Sequence, residues 1–142
     1  MAESIENNTV EFELVSPERL LKSEPVEMVV VPGTEGDFGV LPGHSLLIAQ
    51  VRPGVIDIHE GGEVKESIFV AGGFAEVSPE RCTVLAEEAV PTADIDKDAA
   101  QKRLDDANQA LAEAKDAEDG DLAAAEKEIR IAEAMLAAAP EA

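Results

Sequence analysis

The chain has no tryptophan, no tyrosine and a single cysteine among its 142 residues. Aromatics total 3%, so neither a base-stacking platform nor a π-lined ligand pocket has material to build with. One thiol, Cys82, closes no internal disulfide and furnishes no cysteine zinc cluster, which fits a reducing compartment. Cations are scarce. Eleven Lys and Arg face 31 Asp and Glu, a formal charge of −20. That sign repels phosphate backbones and anionic lipid, and argues against nucleic acid or a membrane surface as a primary partner. The longest apolar run is six residues, Ala134 to Ala139, far short of the roughly 20 that span a bilayer. The opening from Met1 to Asn8 carries no basic patch and no apolar stretch, so no signal peptide is expected. Hydrophobic residues nevertheless make up 45%, enough for a core and too many for wholesale disorder.

The texture changes near Pro91. Residues 1–91 are short-period, β-branched and punctuated by Gly and Pro. They carry five basic and 17 acidic side chains, a balance of −12. Residues 92–142 hold 17 Ala and a single Gly, and balance at −8. Two domains are therefore expected, 1–91 and 92–142. In the first, Val10, Phe12 and Leu14 alternate with Glu11 and Glu13, the period-2 signature of a half-buried strand. Val26 to Val31 and Leu46 to Val51 read as strands covered on both faces. Val55 to Glu60 and Val64 to Ala71 flank Gly61-Gly62, a hairpin signal because both glycines accept positive φ. Phe74 to Val77 and Cys82 to Ala86 follow around Ser78-Pro79-Glu80. Short strands at regular turn spacing predict an antiparallel sandwich or barrel.

The second part reads as two helices. Ala100, Leu104, Ala107, Leu111 and Ala114 form one seam at spacings of three and four. Leu122, Ala125, Ile129, Ala132, Leu136 and Ala139 form another. Asp119-Gly120-Asp121 supplies the stop, the turn and a new N-cap, and so short a link folds the helices back antiparallel. Asp94 is the expected first N-cap, with Asp98–Lys102 and Glu126–Arg130 as expected i,i+4 pairs. About half of each seam is Ala, which buries little against the backbone entropy of two helices. The hairpin is expected to be marginal alone and to suit a movable arm.

Catalytic groupings do not stand out. Gly33, Gly36 and Gly39 follow a strand, but a phosphate loop would add Lys and Ser or Thr, whereas this stretch carries Glu35 and Asp37. Tight turns explain these glycines better. Asp57 and His59 share a strand face and His44 sits in Pro-Gly-His, too scattered for a metal centre. Cys82 alternates with Val84 as a small buried hydrophobe would. No metal and no cofactor are expected. A binding or coupling role remains, carried by the acidic loop Pro32 to His44 and by the hairpin.

Several motifs then agree in register. They are Val31-Pro-Gly-Thr-Glu-Gly-Asp-Phe-Gly-Val-Leu-Pro-Gly-His44, Arg52-Pro-Gly-Val55, Ala71-Gly-Gly-Phe-Ala-Glu-Val77 and Cys82-Thr-Val-Leu-Ala-Glu87, after the opening Val10-Glu-Phe-Glu-Leu-Val15. Over about residues 8–115 this pattern resembles the epsilon subunit of bacterial F-type ATP synthase. The resemblance implies an α+β chain: a flattened antiparallel β-sandwich of about ten strands, followed by a C-terminal α-helical hairpin. It implies a non-catalytic subunit at the foot of the central stalk. Such a subunit binds the gamma subunit and the polar loops of the c-ring, on the cytoplasmic face of the cell membrane. The hairpin would reach the alpha and beta subunits and regulate ATP hydrolysis.

By position, Glu35, Gly36, Asp37 and the nearby His44 correspond to c-ring contacts. Nucleotide-binding relatives open the first helix with Ile/Leu-Asp-x-x-Arg-Ala. Here Ile95 and Asp96 are present, the Arg is missing, and Arg103 one turn later, with Lys127 and Arg130, stands as the basic candidate. The family's His-Ala-Pro-Leu is replaced by His44-Ser45-Leu46-Leu47, and Cys82 stands where Val is usual. Lys127 and Arg130 lie beside Glu126, Glu128 and Glu133, so weak inhibition is expected. A hairpin that folds on ATP, and a sandwich adaptor unconnected with rotary enzymes, are the rival readings.

Overall fold

The computed structural model describes residues 8–140, and all but the last residue of the Met1 to Asn8 opening, on which the expectation about the leader rests, lie outside that range. The chain divides into two compact units between Pro91 and Thr92. Among the described residues the first unit holds ten strands: β1 (Val10–Val15), β2 (Leu20–Val26), β3 (Met28–Gly33), β4 (Gly36–Val40), β5 (Leu47–Val51), β6 (Gly54–Glu60), β7 (Glu63–Val70), β8 (Gly73–Val77), β9 (Arg81–Ala86) and β10 (Ala89–Pro91).

Strand order is β10-β7-β6-β3-β5-β8-β9-β1-β2, with β4 paired to β3 alone. The path has one weak joint. Among the described residues β3 and β5 share a single pair, Gly33 with Val51, whereas β5 and β8 share five. That joint separates two five-stranded halves, β10-β7-β6-β3-β4 and β5-β8-β9-β1-β2. Between them lies one apolar core. Val29, Val31, Val40, Ile56, Ile58, Ile68 and Val70 come from the first half. Val10, Phe12, Leu14, Val51, Ala75, Val77, Cys82, Val84 and Ala86 come from the second. Each set alternates along its strands, as a sheet with one covered face requires. The side remote from the joint is bridged by charge. Lys22 Nζ of β2 lies 2.9 Å from a Glu66 carboxylate oxygen of β7, and the Glu27 carboxylate accepts from Gly61 N at 2.7 Å.

Gly61 and Gly62 form the expected turn at φ of 64° and 80°. The pairing is antiparallel except for β1 with β9, which run parallel. β2 gave little sequence signal, because Lys22, Ser23, Glu24 and Pro25 interrupt its apolar residues. Its position at the end of the strand order is where a strand tolerates Pro. The segment from Pro32 to His44 is no open loop. Its first part is a β-hairpin, with Val29 to Gly33 of β3 paired to Gly36 to Val40 of β4. Nor are β3 and β5 covered on both faces. In β3, Val29 and Val31 are buried while Val30 is half-buried, and at β5 Leu46 and Ile48 are exposed. One face of each strand looks into the core and the other does not.

The second unit opens with a 3-10 turn (Thr92–Asp94), followed by α1 (Lys97–Asp116) and α2 (Leu122–Ala138). The N-cap of α1 is Asp96, not Asp94. Its carboxylate accepts from Asp98 N at 3.0 Å and Ala99 N at 3.3 Å, while Asp94 is spent in the 3-10 turn. Asp121 caps α2 as expected, accepting from Ala124 N at 3.0 Å. Ala100, Ala107, Ala125 and Ala132 are buried seam residues. Leu122 is exposed instead, because it starts the first turn of α2, and Ile131 is buried off the expected seam. Lys102 pairs with Asp106, at 2.9 Å, rather than with Asp98. Asp98 lies in the first turn, where the helix dipole already favours its charge.

Candidate functional site

The acidic turn is built by the β3–β4 hairpin. Gly33 pairs with Gly36, so Thr34 and Glu35 alone span the tip. Gly36 sits at φ 130°, a conformation that side chains resist, and a Cβ at Gly33 would lie 2.7 Å from the Gly36 carbonyl. These glycines serve the turn itself. Glu35, Gly36 and Asp37 are all exposed. Asp37 Oδ1 accepts from Arg52 Nη2 at 2.6 Å, and Arg52 Nη1 donates to the Gly33 carbonyl at the same distance. Among the described residues Glu35 makes no ion pair.

His44 is not beside this tip. Gly36 opens β4, whose four further residues, about 13 Å at the usual rise of a strand, separate it from the segment that carries His44. At that far end His44 is half-buried. Its Nδ1 donates to the Ser45 carbonyl at 2.7 Å, and Gly43 N donates to Pro79 O at 2.8 Å, which ties the segment to the β8–β9 turn. Closeness in sequence suggested closeness in space, but a strand runs between them.

A second feature is assembled from several strands. Cross-strand neighbours on one face share a row, and on the outer face of β5-β8-β9-β1-β2 the row runs Gln50, Phe74, Leu85, Val15, Leu20. Phe74, Leu85 and Leu20 are each more than half exposed, and beside them Ile48 is 73% and Leu46 80% exposed. An apolar patch of this kind is unusual on a chain that works alone.

In the second unit Ile95, Asp96 and Arg103, three of the five proposed nucleotide residues, are already engaged. Ile95 is buried, and Asp96 is occupied as a helix cap. Arg103 Nε donates to Glu128 Oε1 at 2.6 Å and Nη2 to Oε2 at 3.4 Å, joining α1 to α2. Lys127 and Arg130 are exposed on α2. Ala99, Lys102, Arg103, Asp106, Ala107, Ala110 and Glu128 line a groove of about 390 Å³. Elsewhere Asp57 accepts from Ser67 Oγ at 2.6 Å, and Cys82 is fully buried, where desolvation pushes its thiol from 9.0 up to about 12.

Comparison with known proteins agrees with this architecture. Residues 9–92 match the family described as ATP synthase, Delta/Epsilon chain, beta-sandwich domain. The ATP synthase epsilon chain of Rhodospirillum rubrum is 59% identical over 131 residues, 92% of this chain and 96% of that one. That of Paramagnetospirillum magneticum is 57% identical over 129 residues, 91% and 96% of the two chains. Among solved structures, a chain of the Euglena gracilis mitochondrial ATP synthase, OSCP/F1/c-ring in rotational state 1, superposes with a TM-score of 0.76. It is 28% identical, and the match covers 92% of this chain and 81% of that one.

Proposed function

Since the chain belongs to the ATP synthase delta/epsilon family, as a non-catalytic epsilon chain, we propose that it is the central-stalk element that couples c-ring rotation to ATP synthesis. In this reading the sandwich grips the gamma subunit and its β3–β4 hairpin meets the polar loops of the c-ring. The complex holds it peripherally on the cytoplasmic face of the membrane.

The observation that carries the reading is the exposed apolar row Phe74, Leu85, Leu20 with Ile48 and Leu46 beside it. Burying such residues against a partner supplies affinity, whereas exposed carboxylates at a rim supply orientation and discrimination. The row is therefore assigned to gamma. The turn residues Glu35, Gly36 and Asp37 are assigned to the ring, and His44, beyond the far end of β4, is left out of that contact. The carboxylates accept hydrogen bonds from ring-loop Arg, Gln or backbone groups. Phe74→Glu with Leu85→Glu tests the assignment. Both positions lie outside the core, so the chain keeps its thermal transition while gamma no longer co-purifies with it. Stoichiometric recovery of gamma with the double variant would refute it.

A hairpin that folds on ATP is the second reading, favoured by the groove beside Lys102 and Arg103. The pairing works against it. A nucleotide using Arg103 must first displace Glu128, and one using Lys102 must displace Asp106. Calorimetry of the full chain with ATP and Mg²⁺ gives binding heat under this reading and none under the first.

A further inference from the structure

The tip of the β3–β4 hairpin is tied down from one short stretch of chain. Arg52, between β5 and β6, donates from Nη1 to the Gly33 carbonyl and from Nη2 to Asp37 Oδ1, each at 2.6 Å. Its backbone N donates to Pro32 O at 2.9 Å, and Thr34 N donates to Gln50 O at 2.9 Å. Four residues around the turn, Pro32, Gly33, Thr34 and Asp37, are thus held by Gln50 and Arg52. One guanidinium bridges a carbonyl of β3 and a carboxylate of β4. That geometry suits a planar fork with fixed donors and not a single ammonium. With side chains 42% and 59% exposed, the ion pair itself adds little to global stability. What it can set is local. The turn is flanked by Gly33 and Gly36, whose backbones have little stiffness of their own.

We infer that Arg52 is the positioning residue of the β3–β4 turn, that Asp37 serves as its counter-ion, and that Glu35 is the carboxylate the turn presents outward. This rests on the reading that the turn meets the c-ring, and divides the two acidic side chains by task. Glu35 acts on a partner directly. Asp37 acts through Arg52, with its Oδ1 taken by the guanidinium. A partner carrying amide or cationic donors therefore meets the Glu35 carboxylate first, beside an Asp37 already bonded to Arg52.

The test uses amide exchange on the full-length chain and proton-driven ATP synthesis by the reconstituted enzyme. Arg52→Ala speeds exchange at Thr34 about tenfold, with the thermal transition of the chain unmoved, because opening becomes local. Asp37→Asn gives a similar acceleration, and the Asp37→Asn, Arg52→Ala double variant exchanges no faster than Arg52→Ala alone, because both changes cut one contact. Arg52→Lys recovers only part of the protection. Glu35→Gln leaves exchange unchanged and lowers synthesis. Exchange at Thr34 within twofold of the parent in Arg52→Ala, or additive effects in the double variant, would overturn the positioning role. Unchanged synthesis with Glu35→Gln, while Arg52→Ala still loosens the turn, would overturn the assignment of Glu35. That result would also remove the ring contact from the proposed function, with the latch left standing.

Discussion

Cys82 shows how one side chain registers its surroundings. It sits in β9 among Val77, Val84 and Phe12, fully buried, and its thiol holds its proton to about 12 instead of 9.0. In the unfolded chain the thiol ionises above its ordinary value. Between 9.0 and about 12 the unfolded chain therefore binds fewer protons than the folded one, and stability falls as pH rises. Replacing the thiol by alanine flattens that alkaline limb in denaturation curves. Cys82→Ser destabilises by about 1–3 kcal/mol, because a hydroxyl is left without a partner in the core. In native buffer the parent thiol reacts with iodoacetamide only as fast as the chain opens, and rapid labelling would contradict the burial. That Cys82 packs as a small hydrophobe was legible from its alternation with Val84. The Arg52–Asp37 contact was not legible, since 15 residues separate the partners and no periodicity links them.

At the scale of elements, the two halves of the sandwich are joined in different ways on their two sides. One side has the Gly33–Val51 pair, the other has Lys22 with Glu66. The Glu66 carboxylate raises the Lys22 pKa above 10.5. This contribution is full below that value and fades as pH rises through the folded one. On the acid side, Arg81 and Thr83 hydrogen bonds hold Glu13 below 4.5, a contribution present above that value and lost as pH falls. Glu66→Gln is expected to cost about 1 kcal/mol or less in urea denaturation, and less again in 1 M salt, since the pair is partly solvated. The helical seam was legible at its alanines, because Ala100, Ala107, Ala125 and Ala132 are all buried. It misled at Leu122, where a helix start outweighed periodicity. The Gly61-Gly62 turn signal found the β6–β7 hairpin, and period-2 reading found β1. It failed at β2 and β4, whose polar and glycine positions hide the pattern. In the hairpin of α1 and α2, small buried side chains and Arg103, which donates to Glu128 and to Met135 Sδ, are among the ties between the helices. Amides of residues 95–139 are expected to exchange faster than those of β1, β8 and β9, and equal protection would rule out a detachable arm.

For the molecule as a whole, charge is the governing quantity. The formal balance is −20, and α2 carries Lys127 and Arg130 against Glu126, Glu128 and Glu133. An arm of that sign meets repulsion wherever it approaches acidic surface, which disfavours strong inhibition by an inserted hairpin. Deleting residues 92–142 is therefore expected to change ATP hydrolysis by the assembled enzyme only slightly. A large rise measured in a coupled assay would show the hairpin to be a strong brake.

Gly33 belongs at once to the turn and to the joint: it pairs with Gly36 across the hairpin, with Val51 across the halves, and its carbonyl takes the Arg52 guanidinium. A sideways push on Glu35 thus enters the molecule along its own fold line, where the two leaves meet, and not through the interior of either leaf. A change at Gly33 therefore disturbs the turn and the joint together.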